Sequence, residues 1–264
     1  MTATITAEAL SVGYDGTEIV HGVDLTLEPG SLTVLIGANG CGKSTLLRGL
    51  ARLNRPMSGR VLLDGADTRS IPRGAFASRV GLLPQQPAAP DGILVADLVA
   101  RGRYPHQGWF RRWTHDDDRA VADALERTGL VEVADRAVSE LSGGQRQRVW
   151  IAMVLCQDPD VMLLDEPTSF LDIAHQIEVM DVLTELNRTR GTTIGVVLHE
   201  LNLAARYATR LVVMSAGRVV ASGPPADVLT DAVVAEAFGL RSTVVPDPVS
   251  GTPMVVPRGR FHGA

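Results

Sequence analysis

The chain has 264 residues, 45% apolar, 21% charged and 4% aromatic, a balance that suits one or two globular domains and excludes disordered, collagen-like and coiled-coil classes. Its net charge of -5 argues against the broad basic footprint of a nucleic-acid binder. No apolar run approaches the roughly 18 residues that span a bilayer, and the N-terminal MTATITAEAL lacks the basic start of a secretion signal, so a cytoplasmic protein is expected.

In chain order, strands are expected near residues 4–12, 18–28 and 31–37. The last of these, SLTVLI after the turn signal Glu28-Pro29-Gly30, reads as a buried parallel strand. It runs into GANGCGKST, so that Gly37 to Ser44 spells G-x-x-x-x-G-K-S, and then into TLLRGLARL, which places Leu46, Leu47, Leu50 and Leu53 on one helical face. Strand, glycine loop and helix are the order a phosphate cradle needs. Gly37, Gly40 and Gly42 free the backbone N–H groups to wrap a phosphate, with Asn39 and Thr45 beside them, and the helix N-terminus adds partial positive charge. Lys43 is placed to reach the β- and γ-phosphates and Ser44 to ligate Mg2+. Of 25 basic residues, 24 are Arg and the one Lys is Lys43, which points to a confined site that takes a compact ammonium and rejects a planar guanidinium.

Only two cysteines occur, Cys41 and Cys156, without CxxC spacing, so no disulfide framework or structural zinc is expected. Cys41 inside the loop has two readings: a thiol activated by Lys43 and the helix end, protected by nucleotide, or a small residue tolerated in a crowded turn.

Strands are next expected near 60–64 and 80–84, then helical patterns near 93–102 and 116–129. Between them, RGRYPHQGWFRRWTHDDD gathers Tyr104, Trp109, Phe110 and Trp113 amid Arg101, Arg103, Arg111 and Arg112. That mixture suits an interface; a single-stranded nucleic-acid platform and a plain covering loop are the alternatives. Ser142-Gly143-Gly144-Gln145 opens a helical pattern over 143–157, with Ser142 as N-cap and two glycines leaving the first amides uncovered. It reads as a second anion-binding helix start or as a merely well-capped helix. Val161 to Leu164 then delivers Asp165 and Glu166 at a strand's C-terminal edge, where open α/β sheets bind ligands. Strand alternation separates their roles: Asp165 toward a metal, Glu166 toward an attacking water. Further strands are expected near 192–198, 211–215 and 218–222, and a Pro- and Gly-rich tail as a small hairpin.

GANGCGKST, LSGGQRQR and VMLLDEPTS together resemble the ATP-binding subunits of ABC transporters, and the likeness extends along most of the chain. It implies an α/β fold: a P-loop NTPase ABC-ATPase core of mixed sheet flanked by helices, an antiparallel β subdomain, and an inserted helical subdomain. The implied ATPase domain is 1–238, with a nucleotide core of 1–86 and 158–238, a helical subdomain of 87–157, and a C-terminal tail of 239–264. The resemblance assigns Tyr14 to adenine stacking, Gln85 to the metal and attacking water, and Asp172 to the partner's nucleotide site; it assigns His199 to the γ-phosphate. Gln86 is the register alternative to Gln85, and Phe170 stands where the family more often has Ala.

By the same resemblance the cofactors are ATP and Mg2+, and two copies pack head to tail so that Ser142, Gly143, Gly144 and Gln145 of one close on ATP held by the other. Catalysis would rest on Glu166, His199, Gln85 and Lys43, with Ser44, Gln85 and Asp165 on the metal. GRYPH, LDIAHQIEVMDVL and LHELNLAARYA resemble the ferric-siderophore import ATPases, and more loosely those for heme and vitamin B12. The implied partners are a second copy, a membrane permease at the cytoplasmic face and, indirectly, a substrate-binding protein. An exporter subunit and a soluble ABC ATPase are the competing readings, and no nucleic-acid partner is expected.

Overall fold

Short β-branched runs separated by glycine turns dictate strands here, and stretches with apolar spacing of three to four dictate helices. The computed structural model describes residues 3–107, 113–169 and 171–259. In chain order the elements begin with β1 (Ile5–Tyr14), β2 (Thr17–Leu27), β3 (Leu32–Gly37), α1 (Lys43–Leu50), β4 (Ser58–Leu63), β5 (Ala66–Asp67), α2 (Arg73–Arg79) and β6 (Val80–Leu83). Helices α3 (Val95–Ala100), α4 (His115–Arg127) and α5 (Gly143–Cys156) follow. The chain then runs through β7 (Val161–Asp165), α6 (Ile173–Arg190), β8 (Thr193–Val197), α7 (Leu201–Tyr207), β9 (Arg210–Ser215) and β10 (Arg218–Gly223). It continues with α8 (Pro225–Val228), α9 (Asp231–Phe238), β11 (Ser242–Pro246) and β12 (Pro253–Pro257).

A six-stranded sheet has the order β10-β9-β3-β8-β7-β6, parallel except for β10. A four-stranded antiparallel sheet has the order β2-β1-β4-β5. Alternation along each central strand feeds two cores: Leu32, Val34 and Ile36 of β3 join one, Leu35 the other. Met162 and Leu164 of β7 likewise oppose Val161 and Leu163. Period-two side chains on a sheet buried on both faces produce this division. The second core holds α1 through Leu46, Leu47 and Leu50 together with apolar side chains of the antiparallel sheet. Leu53, expected on that face, is 64% exposed, because α1 ends at Leu50 and Arg52 turns into left-handed backbone with φ of 58°.

The segment between β6 and β7 is helical. The pattern expected over 93–102 is split into α3 and a tighter turn from Arg101 to His106. Arg103, expected at an interface, is instead buried: its Nε donates to Asp117 Oδ1 at 2.8 Å and its Nη1 to the Cys156 carbonyl at 2.9 Å. Those bonds tie the start of α4 to the end of α5. Tyr104 and Trp113 are exposed; Trp109, Phe110, Arg111, Arg112 and Phe170 lie outside the described residues. The β11–β12 hairpin leans on α7, where Asn202 exchanges hydrogen bonds with the Val255 backbone and Arg206 pairs with Asp247 at 2.6 Å. No helix among the described residues is long and apolar enough to cross a membrane.

Candidate active site

Sheet order does most of the assembly. Strands β3, β8, β7 and β6 are consecutive neighbours and parallel, so their C-terminal ends share one edge. The loop after β3 leads to Lys43 at the start of α1, the residues after β8 carry His199, β7 ends in Asp165 with Glu166 next in the chain, and the segment after β6 carries Gln85. A cavity of about 330 Å³ at that edge is lined by Ile19, Asn39, Gly40, Gly42, Lys43, Ser44, Thr45, Gln85, Glu166 and His199.

The loop is wound as its glycines allow. Gly42, the residue before α1, has φ of 104°, a conformation that costs a side-chain-bearing residue roughly 1–2 kcal/mol. Lys43 is buried, and its Nζ donates to the Gly37 carbonyl at 2.8 Å and the Ala38 carbonyl at 3.0 Å. The ammonium thus holds the loop closed upon itself, as a compact donor with three hydrogens can. Gly37 and Cys41 stand behind the cavity rather than in its lining. Cys41 is buried among apolar side chains, its amide is spent on the Ala38 carbonyl and its Sγ lies 3.9 Å from Lys43 Nζ. Thiol reactivity requires exposure, so the burial favours the small-residue reading.

The adjacent carboxylates at the end of β7 have opposite environments. Asp165 is 1% exposed; burial raises its pKa, the Ser44 hydrogen bond at 2.7 Å lowers it and the charge of Glu166 raises it again, for a net upward shift. Its Oδ2 is buried with no hydrogen-bond partner. An orphaned carboxylate oxygen beside a serine hydroxyl, with the Gln85 amide on the same cavity, is a set of hard oxygen donors that fits Mg2+.

Glu166 sits one residue past the strand with φ of 55°, in the left-handed region that non-glycine residues seldom adopt. That turn swings its carboxylate to the other side of the edge, where three donors converge. Oε2 accepts from Gln85 Nε2 at 2.6 Å and Ser169 Oγ at 2.9 Å, and Oε1 pairs with His199 Nε2 at 2.5 Å. A carboxylate only accepts, so His199 Nε2 carries the hydrogen. Burial pushes the Glu166 pKa up, but the bonds from Ser169 and His199 outweigh it and keep the group ionised at neutral pH. The two carboxylates are therefore separated by environment, one biased toward charge compensation and one toward accepting a proton.

Gln85, not Gln86, lines the cavity. Tyr14 is exposed at the end of β1, and Arg48 Nη1 donates to its hydroxyl at 3.5 Å, so it stands beside α1 outside the cavity lining. Ser142, Gly143, Gly144, Gln145 and Asp172 are not brought to this cavity either. Ser142 and Gln145 cap one another reciprocally, with Gln145 N donating to Ser142 Oγ at 3.2 Å and Ser142 N to Gln145 Oε1 at 3.1 Å. Asp172 caps α6 through the His175 amide at 3.0 Å. Ser142, Gly143 and Asp172 are exposed. Sequence reasoning missed Ile19, an apolar strand residue with no motif around it. It also missed Ser169, whose place three residues after Glu166 in a turn was the available signal.

The ABC transporter family profile matches residues 20–169. The chain is 50% identical over 258 residues to the siderophore transport system ATP-binding protein YusV of Bacillus subtilis (strain 168), covering 98% of this chain and 94% of that one. It superposes on a metal-chelate type ABC transporter in an inward-facing conformation with TM-score 0.84 and 27% identity over 98% of both chains. It also resembles the dimeric MJ0796 cassette in a post-hydrolysis state bound to ADP and Pi, with TM-score 0.73 and 25% identity over 83% of this chain and 98% of that one.

Proposed function

We propose, because this chain belongs to the ABC transporter family as its ATP-hydrolysing subunit, that it powers uptake of a ferric siderophore through a membrane permease. The observation that carries the cargo is the 50% identity, over 98% of the chain, to a siderophore transport ATP-binding protein. The metal-chelate neighbour supports the same reading.

ATP's triphosphate enters the cavity at the parallel-strand edge, with the loop amides around it. Lys43 exchanges the Gly37 and Ala38 carbonyls for β- and γ-phosphate oxygens, a gain because the ammonium then faces anionic acceptors in place of neutral ones. Ser44, Asp165 and Gln85 hold Mg2+, which neutralises phosphate charge when bound. Tyr14 stacks on the adenine at the rim. Glu166, ionised and already gathered with Gln85 and His199, accepts the proton of the attacking water. Gln85 orients that water, and His199 Nε2–H turns from Glu166 to a γ-phosphate oxygen. Phosphoryl transfer of this kind is won by positioning and charge, with little covalent chemistry for the protein.

One side of the triphosphate is left for a second copy. Ser142, Gly143, Gly144 and Gln145 of that copy supply the uncovered amides of a helix start, and its Asp172 lines the shared site. The dimeric MJ0796 neighbour supports this arrangement. Hydrolysis is then coupled to closure of the dimer, and closure drives the permease at the cytoplasmic face of the membrane. A substrate-binding protein delivers the cargo from the other side.

The test is reconstitution with its membrane permease and parallel uptake assays for ferric siderophore, heme and cobalamin. ATP-dependent accumulation of the siderophore alone is expected. Accumulation of heme or cobalamin instead overturns the cargo while leaving the ATPase intact.

A further inference from the structure

A glycine in the first turn of a helix, with ordinary negative φ, needs a reason. Gly144 has one: a Cβ built on it would lie 2.8 Å from His175 Cδ2 and 3.1 Å from Cγ, so the imidazole of α6 occupies the space a side chain on α5 would need. The same ring is fixed at its other end. Asp172 Oδ1 accepts from the His175 amide at 3.0 Å and pairs with His175 Nδ1 at 2.7 Å. A carboxylate cannot donate, so Nδ1 bears the hydrogen.

We propose that His175 is a positioning residue, a strut that fixes the Asp172 turn against the Ser142–Gln145 helix start so that both meet the partner's nucleotide as one rigid unit. This rests on the shared-site reading above. The ring is not the sole tie between the two helices, because one turn further along Arg148 of α5 pairs with Glu178 of α6. Losing the ring therefore leaves the Arg148–Glu178 pair in place while freeing the helix start and the aspartate to move independently. The ring also explains why position 144 is glycine when the helix geometry there admits any residue.

The experiment is a double-mutant cycle on the full chain with its permease in proteoliposomes, comparing wild type, His175→Ala, Gly144→Ala and the double variant. His175→Ala removes a hydrogen bond to a charged group and a packing stop, so ATP turnover is expected to fall about tenfold. ATP affinity of the isolated variant and its thermal midpoint are expected to stay at wild-type values. His175→Asn, which keeps a donor near the same carboxylate, is expected to recover part of the rate. Gly144→Ala is expected to be slower than His175→Ala, and the double variant faster than Gly144→Ala alone, because the added methyl then fills the vacated space. Additive losses, or wild-type turnover in His175→Ala, overturn the strut. Weakened ATP binding by the isolated His175→Ala chain overturns it too, since the ring would then act on this chain's own cavity. Full turnover by isolated wild-type monomer overturns both the strut and the shared-site reading, whereas additivity in a dimer-dependent enzyme overturns the strut alone.

Discussion

The cavity at the sheet edge and the surface carrying Ser142–Gln145 are built from similar parts, yet only one gathers a full set of binding groups. Both are helix starts opened by glycine, and both keep a carboxylate nearby. At the cavity, consecutive strands deliver a lysine, hydroxyls, the Glu166 carboxylate, an amide and an imidazole to a space of about 330 Å³, with the Asp165 carboxylate bonded to Ser44 beside it, and Glu166 already bonds Gln85 and His199. At the second surface, Ser142 and Gln145 satisfy each other and Asp172 satisfies His175, and the adjoining cavity of about 370 Å³, which Gly143, Arg146 and Trp150 help to line, has no lysine, carboxylate or imidazole in its lining. The contrast teaches that a complete set of binding groups and a mere half-site can share a motif. What separates them is whether the sheet brings further elements to the same edge.

The strongest test of that contrast is Glu166→Gln, which removes the proton acceptor but keeps the shape. Turnover is expected to fall about 10²–10⁴-fold with ATP still bound, measured by phosphate release beside nucleotide titration. Normal turnover would remove Glu166 from its role. Asp117→Asn addresses the scaffold that carries the second surface. It leaves the buried Arg103 guanidinium without its counter-charge, and such a loss costs about 3–5 kcal/mol of stability in urea unfolding.

The pH dependence has a defined sign. The Arg103 bond holds the Asp117 pKa down at about 2 against an ordinary value of 3.8, with burial opposing and Thr114 helping. A carboxyl depressed in the folded state contributes stability in full above pH 4, and that contribution is lost as pH falls toward 2. Between those values the wild-type curve is expected to be steeper than that of Asp117→Asn, and parallel curves would contradict the pairing.

Lys43→Ala should weaken ATP binding by about tenfold to a hundredfold, the worth of one or two charge-assisted bonds, read by fluorescence titration. Lys43→Arg should be impaired as well, because a planar fork does not fit between the Gly37 and Ala38 carbonyls. The smallest effect belongs to Ser142→Ala. Loss of the cap should cost about 1 kcal/mol of stability and leave ATP affinity of the isolated chain unchanged. A matching loss of affinity would mean that this surface serves its own chain's cavity.

The cavity was legible because its signals are local. The loop at residues 37–45 lies between a strand and a helix, and the Asp165-Glu166 pair ends a buried strand, so residue order alone implied one edge. Where contacts are distant in sequence, legibility failed. Arg103 read as an interface cation because nothing local shows that Asp117 and the Cys156 carbonyl meet it in the interior. Leu53 kept the helical spacing but fell beyond the end of α1. His175 lay inside LDIAHQIEVMDVL with no role assigned to it, and its contact with Gly144 exists only because the start of α6 meets the first turn of α5. The six-stranded order β10-β9-β3-β8-β7-β6, which interleaves early and late strands, is likewise a tertiary fact that strand patterns do not contain.

The central claim is that one chain holds the nucleotide and a second completes the site. Light scattering of Glu166→Gln with and without ATP tests it directly. The expected result is a monomer of about 28 kDa without nucleotide and a particle of twice that mass when ATP saturates. A variant that binds ATP and remains monomeric at every protein concentration tried would contradict it.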